Sequence, residues 1–224
     1  MNKTPKFFLI SNTANFFNSF MLHHIKELSK KYNVFILCLH ASSLKKKVSK
    51  NVSLINLDLK RNIDLPSDIK IFFKILYLFL KIKPKISISF TPKIGLMVSV
   101  VSFIARTSNR IHWFTGQFWV HKKGIIKFFC KFADRLIFIL NHTVLIDSHS
   151  QKNFLIKENI ISNKKSFVLH KGSVGGVDIK KFKSNKSIRY RLRRKYSISE
   201  KTFIFLYLGR IKKEKGILEL IKAY

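Results

Sequence analysis

Between Gly209 and Gly216 the chain carries Arg210, Lys212, Lys213 and Lys215, directly after the apolar run Phe203–Leu208 and before the periodic segment Ile217–Tyr224. Cations in a glycine-bounded turn ahead of a helix are suited to binding an anion. The side chains supply charge, and a helix opening at Gly216 adds backbone N–H groups and the positive end of a dipole. This order of run, turn and helix is that of a unit opening a phosphate-binding α/β domain, with Phe203–Leu208 expected as a buried strand. A solvated charged turn would use the same residues, and for Arg210 and Lys215 that reading stays open. A second set of candidates is mostly neutral. Ser11-Asn12-Thr13-Ala14-Asn15, Thr115-Gly116-Gln117 and Asp147-Ser148-His149-Ser150 each follow an apolar run, where hydroxyls and amides can bind a ligand or cap the next helix. The sequence has no P-loop, no Asp-x-Asp metal motif and no nucleophile elbow. None of its eleven carboxylates pair as an acid/base couple would.

The balance of 44 Lys and Arg against 11 Asp and Glu gives a formal charge of +33, which attracts anionic membrane, nucleic acid or phosphorylated substrate. Because 35 of the 44 are Lys, and Ile, Asn and Phe are also abundant, an A+T-rich coding sequence explains the composition equally well. The aromatics sit in strands and on helix faces rather than in the exposed basic-aromatic interleaving of single-strand binders, so nucleic acid is not expected as a partner. No apolar stretch is long enough to span a bilayer: Ile94–Ala105 is too short and Ile71–Ile82 is broken by Lys74. The run Phe7–Ile10 ends at once in Ser11, which suits a first strand and not a signal peptide. Cys38 and Cys130 lie in apolar surroundings with no metal spacing, as reduced core residues of a cytosolic protein do.

The elements that must position these residues alternate. Strands are expected at Lys6–Ile10, Val34–Leu39, Val52–Ile55, Ile86–Phe90, Arg110–Phe114, Val144–Asp147 and Phe167–Leu169. Helices are expected after Asn18, over Asp68–Ile82, over Gly95–Ala105, over Gly124–Ile139 and over Ser150–Glu158, with Ser11–Asn18 as a loop and Ser150 as a helix cap. Gly95–Ala105 is apolar nearly all round and is expected to be packed rather than exposed. In Gly124–Ile139 the apolar Ile125, Ile126, Phe128, Phe129 and Phe132 alternate with Lys127, Lys131 and Arg135. Either the apolar face is buried and the charged one solvated, or the helix lies on an anionic leaflet. From Lys171 to Ser187 glycines and lysines cluster and periodicity vanishes, as in an interdomain linker. A basic helix, Ile188–Tyr196, then leads to the last apolar run. The fold class is α/β: a Rossmann-like parallel-sheet domain over 1–170, a linker over 171–187, and over 188–224 the first βα unit of a second Rossmann-like domain.

In order and spacing, Gly176-Val177-Asp178 with Phe182, the helix containing Arg191-Leu192-Arg193, Gly209-Arg210 and Lys215-Gly216 resemble the hinge and second-domain start of retaining glycosyltransferases of family 4, with the GT-B fold. Phe114-Thr115-Gly116-Gln117-Phe118-Trp119 and Asp147-Ser148-His149-Ser150-Gln151 resemble the branch that builds capsule, O-antigen and lipopolysaccharide-type glycans. The resemblance runs from Met1 to Tyr224 but reaches only the threshold of the second domain.

The resemblance implies transfer of a sugar from a nucleotide diphosphate sugar to a lipid-linked or oligosaccharide acceptor at the cytoplasmic face of the cell membrane, with retention and without a metal or other cofactor. Arg210, Lys215 and Gly216 match the donor-diphosphate site, where cations offset charge gained by the departing nucleoside diphosphate. Asn12, Thr13, Thr115, Gly116, Gln117 and Ser148 match the sugar-facing positions. Two departures stand out: the loop at Ser11–Asn15 has no glycine, and Thr115 stands where many relatives have a histidine. The family's glutamate-rich donor stretch is missing, so a truncated form without sugar-nucleotide turnover is expected, or one completed by a separately encoded C-terminal half. The alternative from another class is a non-catalytic basic domain that binds anionic membrane or nucleic acid.

Overall fold

The computed structural model describes residues 4–60 and 64–224; Met1–Lys3 and Arg61–Ile63 lie outside the described residues. The backbone divides into two units, one reaching Gly176 and one spanning Val177–Tyr224.

The first unit is built on seven strands: β1 (Lys6–Thr13), β2 (Asn33–Leu39), β3 (Ser53–Asn56), β4 (Ile86–Phe90), β5 (Asn109–Phe114), β6 (Thr143–Ile146) and β7 (Ser166–Val168). They form one sheet in the order β3-β2-β1-β4-β5-β6-β7, every adjacent pair parallel. Parallel strands need crossovers, and helices supply them: α1 (Ala14–Phe16), a π-turn at Phe17–Met21 and α2 (Leu22–Leu28) after β1, α3 (Leu65–Ile82) after β3, α4 (Pro92–Ile104), α5 (Gly124–Leu140) and α6 (His149–Lys157). Consecutive residues of β1 are buried on opposite faces, so the strand reads as an unbroken apolar run. Phe7 and Leu9 pack with Met21 and Ile25 on one face; Phe8 and Ile10 pack with Ile75, Phe79 and Val98 on the other. The register carries that second face across to His112, Val144 and Ile146, so α3 to α6 share one layer and α2 lies on the opposite side.

Several boundaries differ from the expected ones for local physical reasons. β1 continues to Thr13 with an irregularity in its pairing after Ile10, so the expected loop at Ser11–Thr13 is strand, and Ser11 is fully buried. α3 begins at Leu65 rather than Asp68, because Asp64 Oδ1 accepts the Ser67 N–H at 3.0 Å and Pro66 sits in the first turn. α4 is packed as expected along one side only. That side holds Gly95, Ser99 and Ser102 as well as Ile94 and Val98, while Phe103 and Ile104 are exposed. Gly95 is required there, since a Cβ would stand 2.3 Å from His112 Cε1.

The second unit holds α7 (Lys186–Lys195), a 3-10 turn at Lys213–Lys215 and α8 (Ile217–Ala223). Arg193 is buried; its guanidinium donates to the Ser199 and Thr202 carbonyls and closes the turn after α7. The buried strand expected at Phe203–Leu208 is not formed. The segment has no strand pairing and Leu208 is 93% exposed. Its propensity is strand-like, but a strand is stabilised only by a neighbouring ladder and a covered face, and no such neighbour lies among the described residues.

Candidate functional site

In an open parallel sheet, ligands bind beyond the carboxyl ends of the strands where the chain order reverses, because there the loops diverge and leave a crevice. Here that point lies between β1 and β4, from which crossovers run to opposite faces. Ser11 Oγ and Asn12 Oδ1 at the end of β1, and Gln117 Nε2 after β5, are buried and have no hydrogen-bond partner in the protein. Buried polar atoms cost about 1–3 kcal/mol each when unpaired, so natural sites keep them where a ligand or water completes them. Between them, at the end of β4, Thr91 has φ 67° and ψ 145°. A β-branched residue rarely adopts such a backbone, and strain of this kind gathers at binding sites. Thr91 precedes Pro92, which starts α4, and its hydroxyl donates to the Phe90 carbonyl.

One glutamine organises the β5–β6 side of this edge. Gln151, in the first turn of α6, donates from Nε2 to Gln117 Oε1 at 3.0 Å, and its own Oε1 accepts the Asp147 N–H at 3.2 Å. Gln117 is therefore held with its Nε2 unpaired. Gly116, one residue earlier, has φ 138° and open space where a Cβ would be, so the turn exposes backbone beside Thr115, which is itself half-buried. Ser148 is the cap of α6, accepting the Gln151 N–H at 3.1 Å; the cap expected at Ser150 thus falls two residues earlier. Thr13 precedes α1 without a side-chain capping bond.

Asp147, at the end of β6, belongs to a segment that the sequence marks, but there only Ser148 is assigned a site role. Its Oδ1 accepts the Trp113 indole N–H at 3.1 Å. Burial raises its pKa, with the Trp113 and Val174 hydrogen bonds acting in the opposite direction. The loop Gly172–Val174 is tied to it: Ser173 N–H donates to the Asp147 carbonyl at 2.6 Å, Gly172 has φ 98° against the same carbonyl, and the Val174 carbonyl lies 2.8 Å from His24 Nε2. The signal that could have revealed Asp147 is an ionisable residue directly after an apolar strand, but the same pattern marks ordinary loops.

His112 lies in the core and away from this edge. It is fully buried with Ser89 Oγ 2.9 Å from Nδ1, and burial lowers its pKa to about 3, so the ring is neutral. The other three candidates belong to the second unit. There the Tyr207 hydroxyl donates to the Arg210 carbonyl at 2.9 Å, Lys215 closes the 3-10 turn, and Gly216, at φ 75°, precedes α8. Among the described residues no three His, Cys, Asp or Glu side chains gather as a metal site.

The first unit is a Rossmann-like parallel α/β architecture of the GT-B type. With Alr3699/HepE of Anabaena in complex with UDP, the chain aligns over 98% of its own length and 57% of the other at 15% identity and a TM-score of 0.70. With the UDP-GlcNAc 2-epimerase of Neisseria meningitidis bound to UDP-GlcNAc, it aligns over 98% and 63% at 18% identity and a TM-score of 0.62. These likenesses show the fold. In sequence, the chain is 34% identical over 167 residues to the capsular polysaccharide biosynthesis glycosyltransferase CapM of Staphylococcus aureus, covering 74% of this chain. The chain spans 43% of that relative's length. No protein-family model matches it.

Proposed function

We propose that this chain belongs to a retaining, family-4 glycosyltransferase that takes its sugar from a nucleotide diphosphate sugar and extends a surface polysaccharide of the capsule, O-antigen or lipopolysaccharide type. The observation that carries the reading is the set of unpaired buried polar atoms, Ser11 Oγ, Asn12 Oδ1 and Gln117 Nε2, gathered with strained Thr91 at the carboxyl edge of the sheet. Both donors and acceptors are neutral there, as recognition of sugar hydroxyls requires. The identity to CapM supports the reaction class, and UDP in the neighbouring structures supports a uridine nucleotide.

In this reading Asn12 and Gln117 hold the acceptor saccharide, and Thr13, Thr115, Gly116 and Ser148 shape its surroundings. Asp147 accepts a sugar hydroxyl or a proton. Arg210 and Lys215, with the backbone at Gly216, bind the donor diphosphate in place of a metal ion and offset the charge that develops on the leaving group. The acceptor is a lipid-linked or free oligosaccharide, and the protein works at the cytoplasmic face of the membrane. The test is saturation-transfer NMR with oligosaccharide fragments, alongside calorimetry with UDP. Asn12→Ala and Gln117→Ala abolish saccharide contacts and leave UDP binding unchanged; Arg210→Ala with Lys215→Ala does the reverse. Saccharide contacts that survive Asn12→Ala and Gln117→Ala overturn the assignment.

A further inference from the structure

Amphipathic helices on a soluble domain turn their apolar arc to the core and their charges to water. The outer layer of this sheet buries such an arc, with Ile71, Ile75 and Phe79 of α3 and Ile94 and Val98 of α4 in the core, but it also carries large apolar residues on its solvent side. On α5 the arc facing the sheet carries Asp134 and Ile137, whereas Phe128, Phe129 and Phe132 are 57–62% exposed and Ile125 and Ile139, at its two ends, are 69% and 66% exposed. On α3 the residues at successive i+4 steps, Leu65, Ile69, Phe73 and Tyr77, are all exposed. Between them, α4 packs Gly95, Ser99 and Ser102 inward, where Asn141 Nδ2 donates to Ser99 Oγ at 2.7 Å, and leaves Phe103 and Ile104 outside. An apolar exposed area this broad on one layer marks an interaction surface.

The charges around it identify the occupant. Lys122 and Lys123 stand at the start of α5, with Lys122 Nζ 4.7 Å from the Phe118 ring; Lys70, Lys74 and Lys81 border the exposed stripe of α3. Exposed aromatics flanked by lysines whose stems run along apolar surface are the composition of an element lying at the headgroup boundary of an anionic leaflet. A second copy fits poorly, because pairing this face with itself would bring two rows of lysine together on molecules that each carry +33. No helix among the described residues is long and apolar enough to cross a membrane. We infer that α3, α4 and α5 together form a membrane-docking face that seats on an anionic lipid surface through inserted Phe128, Phe129 and Phe132 and surrounding lysines. The inference rests on the outward apolar arcs and is independent of the transferase reading.

A chain this basic will adhere to anionic vesicles by charge alone, so the test must detect insertion. The native tryptophans, Trp113 and Trp119, are buried, which leaves the spectrum open to a reporter at Phe129→Trp. With vesicles of phosphatidylcholine containing phosphatidylglycerol, its emission shifts to the blue and is quenched by brominated acyl chains. Sedimentation of the full chain with the same vesicles persists at about 0.5 M NaCl, where exposed charges are screened within a few ångströms. Phe129→Asp with Phe132→Asp lowers that salt-resistant partition at least about tenfold, since two bulky apolar groups leave the lipid. Phe73→Ser with Tyr77→Ser lowers it independently on α3, and circular dichroism verifies folding of each variant. Absence of quenching, salt-resistant binding unchanged by both double substitutions, or self-association in light scattering that these substitutions abolish would overturn the proposal.

Discussion

Replacing Gly95 with alanine puts a methyl group 2.3 Å from Cε1 and 2.8 Å from Nδ1 of His112, against an ordinary contact of about 3.5–4.0 Å. The ring cannot swing aside. It is 1% exposed, held by Ser89 at 2.9 Å and packed against the edge of Phe114 at 4.6 Å between centroids. Helix α4 must therefore lift from the sheet or the Ser89 bond must break. Overpacking of this kind costs about 1–3 kcal/mol, partly offset by the ~1 kcal/mol that alanine gains over glycine in a helix. A net loss of up to about 2 kcal/mol lowers the melting temperature by up to roughly 8 °C in a unit of this size. Urea unfolding at neutral pH measures it, with the slope unchanged if the denatured state is unaffected. The decisive comparison is a double-mutant cycle. His112→Ala removes the obstacle, so Gly95→Ala in that background costs nothing or stabilises, and the two changes couple by about 1 kcal/mol or more. Additivity within about 0.5 kcal/mol would refute the proposed close approach.

Asp134 is buried against Trp119 Nε1 at 2.7 Å, and burial raises its pKa to about 6. A carboxyl raised in the folded state contributes stability that is present below its unfolded value of 3.8 and lost as pH rises through about 6. Asp134→Asn, which still accepts the indole hydrogen, therefore gains on the parent across that window by up to about 3 kcal/mol; parallel pH profiles in chemical denaturation would refute this. His112 acts in the opposite direction. Lowered to about 3, its neutral ring costs stability as pH falls from 6.5, and His112→Ala flattens that acid limb in the same titrations. Gln151→Ala frees Gln117 and weakens saccharide binding about tenfold by NMR titration. Gln151→Glu, which lacks the amide donor, does the same, and unchanged affinity in both variants would show that Gln117 needs no such support.

The alternation of apolar runs determined the parallel α/β class, because a strand buried on both faces is apolar nearly throughout and its crossover helix must be periodic: Val34–Leu39 was legible for that reason, whereas Ile86–Phe90 buries Ser87 and Ser89. The polar triplets at Asn12, Thr115 and Ser148 were legible as strand-end residues, but not in their roles. Ser148 caps α6 because the helix starts at His149, Gln117 is held by a glutamine 34 residues away, and Thr91 is strained by its place between Phe90 and Pro92 in the fold. Phe203–Leu208 shows the limit from the other side, since its sequence specifies a strand while only neighbouring strands could make it one. The same holds for α5. Its spacing specified an amphipathic helix, but periodicity is unchanged by rotating a helix about its axis. Packing of Asp134 and Ile137 inward decided that its phenylalanines face out.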